Sequence, residues 1–422
     1  MEPTPAAPLE SLANARARDA ADPMRGFRAR FALPADGRVA FEANSIGAMP
    51  ADAPARAAAI LNEGWRGLGR RGWSEADWLD MPARLGASIA PLIGAGPDDV
   101  LVCDNTTTNL FKLLGHAWRQ RGDGHVIVTE AANFSTDLHV ADGFARFVRE
   151  SGGRCQLVRA DSREAVLAAL GDGGVAILML THTDYRHGDC WDLAATTARA
   201  HAAGALTLWD LSHSAGALDI DLLGADADFA VACGYKYLCG GPGGPSAVFV
   251  HPRHRDAMPL IQGWMGHAGR PGFGPDYDPA PGVLRLATGT PPVIANAVFS
   301  AAADLWAEVD RAALGARHRE LGDLLVALID ARCARHGVRL LSPRDPARRG
   351  GHAAIAHEGA AAIANALVAH GVTVSFRAPD AIRFGVSPLY HNREDLWRAV
   401  SVLDEILTAQ TWRDPAYQGS RL

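Results

Sequence analysis

Between Ala205 and Val250 the chain reads ALTLWDLSHSAGALDIDLLGADADFAVACGYKYLCGGPGGPSAVFV. Three short apolar runs punctuate it. Ala205 to Trp209 ends on Asp210, and Asp228 to Cys233 ends in Gly-Tyr-Lys-Tyr. Ser246 to Val250 follows a glycine-rich turn. Short apolar runs bounded by Gly and Pro read as buried strands. An acid and a lysine then stand at or just beyond strand ends, where open α/β sheets carry their sites. The glycines from Gly240 to Gly244 have poor spacing for a phosphate loop and read as a turn that frees the backbone of the lysine.

That lysine is Lys236. Of 41 Lys and Arg residues only Lys112 and Lys236 are lysine. Arginine keeps the charge but stays protonated and cannot act as an amine nucleophile. A lysine that forms a Schiff base cannot be replaced by it. Lys236, directly after an apolar run, fits that role, whereas Lys112 is expected on the surface. An acid upstream of a Schiff-base lysine points to pyridoxal phosphate, whose ring nitrogen a buried carboxylate keeps protonated. Asp210 is the candidate, with a helix N-cap as its plainer reading.

WDLSHSAGA followed by DFAVACGYKYLCGGPGGP resembles the kynureninase family, fold-type I, class V enzymes that use pyridoxal phosphate. Motifs similar to that family's recur in order over most of the chain. Asp104-Asn105-Thr106-Thr107-Thr108 opens an amphipathic helix after the strand Asp99 to Cys103. Hydroxyls and free N–H groups at a helix start make an anion site or an ordinary cap; the resemblance places Thr106 and Thr107 against the phosphate. In Asn133-Phe134-Ser135-Thr136-Asp137 it implies that Phe134 packs on the pyridine ring and that Asp137 joins the cofactor site. Ser135 stands where the family has proline. The resemblance further implies a cofactor contact from Thr181 and a place beside the ring for His213, whose plainer reading is a hydrogen-bonded core histidine. Tyr235 directly precedes the lysine, where its phenol can donate to the phosphate and act as a proton donor. His213 lies three residues past Asp210, so one helical turn would let both face the ring.

Other stretches carry the substrate and a second subunit. Arg383 stands alone in the apolar run around Ile382 and Phe384, where a charge demands a partner. Arginine grips a carboxylate bidentately; the plainer reading is a structural ion pair. The family's clamp on the amino-acid carboxylate matches Arg383. Asn44 and Ser45 match a substrate-side element, although Glu42-Ala43 replaces the usual Asp-Gly. Trp73 lies in a stretch similar to the family's pocket lining, and Cys239 stands where the family has Asn. Trp264 and Thr290 bound a long Gly- and Pro-rich connection; a segment of that kind is usually functional. By resemblance they reach the phosphate of a neighbouring subunit, which implies a homodimer with shared sites.

Composition narrows the rest. A net charge of −6 argues against a nucleic-acid partner. Six scattered cysteines form no CxxC pair and fit a reducing cytoplasm. No apolar run is long enough to span a membrane, and the N-terminus shows no signal-peptide pattern. His182, Asp184 and His187 have no defensible ligand spacing, so no metal is expected.

The expected fold is α/β, of the aspartate-aminotransferase type: an arm over residues 1–50, a large domain with a mostly parallel sheet over 51–292, and a smaller α+β domain over 293–422. The resemblance implies hydrolysis of L-kynurenine or its 3-hydroxy form to an anthranilate and L-alanine, in tryptophan catabolism. The alternatives are another class V enzyme, a desulfurase-like lyase or a transaminase, and a non-catalytic protein that binds the same cofactor. A desulfurase needs a cysteine in a mobile loop, and after Cys239 only Cys333 remains, inside a helical pattern.

Overall fold

The computed structural model describes residues 11–270 and 274–419. Residues 1–10 of the expected arm lie outside them. Seven strands form the large sheet: β2 (Val100–Cys103), β3 (Val126–Glu130), β4 (Gln156–Ala160), β5 (Val175–Thr181), β6 (Leu206–Asp210), β7 (Phe229–Ala232) and β8 (Ser246–Val250). A two-residue strand, β1 (Val39–Ala40), precedes them. The sheet order is β2-β8-β7-β6-β5-β3-β4. Every pairing is parallel except those of β8, which runs against both β7 and β2. The mostly parallel sheet is therefore present.

Its strands are apolar along their length because helices cover both faces. All seven residues of β5 are buried. On one face Leu110, Leu113 and Leu114 of the helix Thr106–Gln120 pack with Phe144 of the helix Ser135–Glu150. On the other, Trp209, Leu238, Phe299 and Trp306 share a core.

A four-stranded antiparallel sheet stands apart, in the order β12 (Ser375–Arg377), β13 (Ala381–Gly385), β10 (His352–Ala356), β9 (Arg339–Leu340). β11 (Val372–Thr373) pairs in parallel with β1. Phe41, Leu325, Ile355, Phe384 and Leu403 belong to this second core. The helix Arg311–Cys333 passes from one core to the other, with Leu314 in the first and Leu321 in the second. The helix Val293–Trp306, just past the expected boundary, packs on Ala53–Ala59 and Met81–Ile89 in the first core. Within the arm, the helix Leu12–Ala21 lies on Arg393–Thr408. There Arg393 pairs with Asp19 at 3.1 Å and with Asp22 at 2.9 Å, and Arg317 reaches Asp22 at 2.8 Å.

Candidate active site

Parallel pairing aligns the carboxyl ends of the central strands. The register of β5 on β6 sets Thr181 opposite Asp210, and that of β6 on β7 sets Asp210 opposite Val231. Lys236 follows β7 by four residues, on a loop closed by the Gly240 N–H donating to the Gly234 carbonyl at 2.8 Å. The acid and the lysine thus share one sheet edge.

Lys236 Nζ lies 5.6 Å from the centre of the Phe134 ring. Phe134 stands directly before the helix Ser135–Glu150 and meets Tyr185 edge-on at 5.4 Å. In the first turn of that helix Asp137 is buried against Asp210. Burial, then the Asp210 carboxyl, raises the Asp137 pKa well above the usual range. Asp137 is thereby held as the neutral acid of the pair. Thr181 Oγ1 donates to Asn133 Oδ1 at 2.5 Å and lies 3.2 Å from Asp137 Oδ2, so its hydroxyl orients this pair. Asp210 Oδ1 also accepts the Ser212 N–H at 2.7 Å, a turn contact rather than the helix N-cap weighed from sequence. Beyond Asp210 the chain makes a run of turns rather than a helix, and these turns carry His213. Burial, then Lys236 and His352, holds His213 well below its ordinary pKa, hence neutral. Its Nδ1 is buried with no hydrogen-bond partner. The Tyr235 phenol is pushed up to about 12 by Cys233 and by burial, so it keeps its proton.

At the helix Thr106–Gln120, Asn105 Oδ1 caps the Thr108 N–H at 3.0 Å. The N–H groups of Thr106 and Thr107 have no intrahelical acceptor and form the positive end of the helix dipole.

Arg383 comes from the other sheet. Its side chain is among the largest fully buried ones, at 1% exposure. Nε donates to Ser375 Oγ at 3.0 Å, Nη1 to the Tyr185 carbonyl at 2.5 Å and Nη2 to Ser45 Oγ at 3.4 Å. All three partners are neutral oxygens. Burial, then Arg377, pushes Arg383 down to about 9, which leaves it a cation at neutral pH. Ser45 belongs to the segment that links the two sheets: Gly385 N–H donates to the Phe41 carbonyl at 2.8 Å, and Gly47 N–H donates to the Tyr235 carbonyl at 2.9 Å. A Cβ on Gly47 would stand 2.2 Å from the Lys236 carbonyl oxygen, so only glycine allows this approach. Asn44 is buried beside Gly385 with both amide atoms unpartnered.

The structure therefore gathers Lys236, Asp210, Asp137, Phe134, Thr181, His213, Tyr235, Ser45 and Arg383 about one cleft. Three residues stand elsewhere within the chain. Trp73 packs edge-on against Trp78 at 5.2 Å and lines a groove of about 700 Å³ with Trp65, Pro291 and Ile294. Trp264 lines a separate hollow with His267 and Tyr277, and Thr290 is exposed. Sequence reasoning missed Asn133, Ser375 and His352. His352 is buried, packs edge-on against His213 at 5.5 Å, and is pushed down to about 3 by burial and Arg383. The first two signalled nothing locally, and His352 lies beyond any motif read from the sequence. His182 accepts or donates to Ser214 Oγ at 2.8 Å, while Asp184 Oδ1 accepts the Arg186 N–H at 3.1 Å. One expectation is corrected. Lys112 is not on the surface but buried, because Asp104 supplies a carboxylate 2.6 Å from its Nζ.

Residues 314–403 match the family model described as Kynureninase C-terminal domain. The chain is 41% identical over 405 residues to the kynureninase of Pseudomonas fluorescens, across 95% of this chain and 96% of that one. It is 40% identical over 415 residues to the kynureninase of Burkholderia mallei (strain SAVP1), across 97% and 98%. Among solved structures it is similar to a cysteine desulfurase from Thermococcus onnurineus NA1, with TM-score 0.73 and 17% identity over 91% of this chain and 98% of that one. It is also similar to a C-DES mutant with glycine covalently linked to the PLP cofactor, with TM-score 0.74 and 18% identity over 89% and 99%. These two likenesses show the fold alone.

Proposed function

Because the chain belongs to the kynureninase family, we propose that it hydrolyses L-kynurenine, or the 3-hydroxy form, to the corresponding anthranilate and L-alanine, with pyridoxal phosphate held at Lys236. The residues fit that cofactor. A lysine amine stands over an aromatic face, two buried acids meet with Asp137 held neutral, and two free N–H groups open a helix. When bound, the cofactor supplies an electron sink next to the substrate's α-carbon. Asp210 would face the ring nitrogen, with the neutral Asp137 beside it. Phe134 would pack on the ring face, with neutral His213 beside the ring. Thr106 and Thr107 would hold the phosphate. Lys236 Nζ takes the proton from the α-carbon. The substrate's γ-carbonyl takes up water, the Cβ–Cγ bond breaks with its electron pair passing to Cβ, and the γ-carbon leaves as the anthranilate carboxyl. Tyr235, protonated at neutral pH, gives a proton to Cβ, and the proton on Lys236 returns to the α-carbon.

The observation that carries this reading is Arg383, a buried guanidinium whose hydrogen bonds all go to neutral oxygens. A cation in that state waits for an anion. A substrate α-carboxylate satisfies it bidentately, with Asn44 and Ser45 alongside. The desulfurase alternative needs an exposed, mobile cysteine, and all six cysteines are buried. They suit a reducing cytoplasm. Among the described residues no helix is long and apolar enough to cross a membrane.

A second copy of the chain completes the proposal. Trp65 is 67% exposed at the rim of the apolar groove that Trp73 lines, and Thr290 is exposed two residues before Pro292. A homodimer covers that groove and brings Trp264 and Thr290 to the partner's phosphate. The test is purified protein with kynurenine, followed by anthranilate fluorescence, and borohydride reduction followed by peptide mapping. Anthranilate release and a label on Lys236 are expected. A label on Lys112, or no turnover, would overturn the reading.

A further inference from the structure

Lys236 has its task in the chemistry; the chain's other lysine has none there. The side chain of Lys112 is 2% exposed, in the second turn of the helix Thr106–Gln120. Its Nζ donates to Asp104 Oδ2 at 2.6 Å, to the Leu286 carbonyl at 2.8 Å and to Cys103 Sγ at 3.4 Å. Three acceptors around one nitrogen use all three N–H groups of an ammonium, an arrangement that a flat guanidinium cannot copy. That accounts for a lysine here in a chain where, Lys236 aside, every other Lys or Arg position is arginine.

The partners join two distant segments. Asp104 ends the turn after β2, at φ 45°, directly before the N-cap Asn105 and the threonine run from Thr106. Leu286 and Thr288 belong to the connection that runs from Trp264 to Thr290. Thr288 Oγ1 donates to Asp104 Oδ1 at 3.1 Å, and the Thr288 carbonyl accepts the Met265 N–H at 3.2 Å. Burial works against the Lys112 charge, but Cys103 and Asp104 outweigh it and keep the pKa above its ordinary value.

We infer that Lys112, Asp104 and Thr288 form a clamp that positions the phosphate contacts, an inference that rests on the cofactor reading above. The clamp holds the start of the helix at Thr106 and Thr107 in register with the connection that carries Trp264 and Thr290. The first pair serves the chain's own phosphate site and the second serves the partner's, so one buried ion pair sets the geometry of both. None of the three clamp residues touches the cofactor; each is a positioning residue.

The test compares pyridoxal phosphate with pyridoxal, which lacks the phosphate, on cofactor-free full-length protein. Binding is read from the absorbance change at Lys236. Lys112→Met should weaken pyridoxal phosphate by roughly 10- to 100-fold, the range of a lost hydrogen bond to a charge. Thr288→Val, which removes one hydroxyl, should weaken it by roughly threefold to tenfold and serves where Lys112→Met does not fold. Pyridoxal affinity should stay unchanged in both. Unchanged phosphate preference, or an equal loss for both ligands, would overturn the clamp. If the unsubstituted protein took up neither ligand at Lys236, the cofactor reading itself would fall, and the clamp with it.

Discussion

Asp137 and Asp210 show how a residue's task is set by its neighbour. Both are acids in the same cleft, yet the proton rests on Asp137 because burial and the second carboxyl raise its pKa. Asparagine imitates a neutral acid but not an anion. Asp137→Asn should therefore keep at least roughly tenfold more kcat than Asp210→Asn, since a lost charge partner is worth more than a lost neutral hydrogen bond. Steady-state kinetics, with cofactor content as control, checks this; equal losses would count against the assignment. At Arg383 the fork matters as much as the charge. Arg383→Lys keeps the cation but not the two parallel donors. The loss of kcat/KM should correspond to about 2–5 kcal/mol with the cofactor still bound. An unchanged kcat/KM would make Arg383 structural. Of this site, Lys236 and Asp210 were legible because each lies within a few residues of a recognisable apolar run. Asn133, Ser375 and His352 were not, because their roles arise only from partners on other strands.

At the scale of elements, the opposite end of β7 is as highly charged as the cleft. Asp228 Oδ2 accepts from His201 at 2.8 Å; Oδ1 meets His254 at 2.7 Å and Arg253 Nη2 at 2.6 Å. The Thr207 N–H adds a bond at 2.8 Å, tying β6 to β7. Burial opposes the Asp228 charge, but these hydrogen bonds outweigh it and hold the carboxyl far below its usual pKa. A depressed carboxyl stabilises the fold above its unfolded pKa of about 4 and loses that contribution as pH falls through the folded value. Asp228→Asn should thus cost about 1.5–3 kcal/mol at pH 7, because an amide cannot accept the Arg253 and histidine hydrogen bonds as a carboxylate does. The difference from the unsubstituted protein should shrink as the pH drops below about 4. Denaturant unfolding at both pH values measures it, and a pH-independent difference would refute the ion-pair account. The strands themselves were readable as short apolar runs. The helix Ala53–Ala59 continues into the wider π-helical turns of Ile60–Leu68, a change that apolar spacing does not register.

For the whole molecule, the apolar groove rimmed by Trp65 and Ile294 sets the prediction. Trp65→Glu places a charge in a surface that the partner would desolvate. For the proposed homodimer, the dissociation constant should rise by at least roughly 100-fold, as expected for an aromatic anchor in an interface. Light scattering after gel filtration reads the mass directly. Weaker cofactor retention should accompany the monomer, because Trp264 and Thr290 would then act on no partner. A variant that stayed dimeric and fully active would place the interface elsewhere.

The sequence by itself determined the strand–acid and strand–lysine pattern, the cofactor chemistry that this pattern serves, and the family. These are local signals, carried by residues near one another in the chain. Tertiary structure alone decided that Asp137 is held neutral, which cation lacks an anion, and that Lys112 is a buried strap rather than a surface charge. Those properties depend on partners tens to hundreds of residues away, on the register of β5 against β6, and on the low polarity that burial imposes.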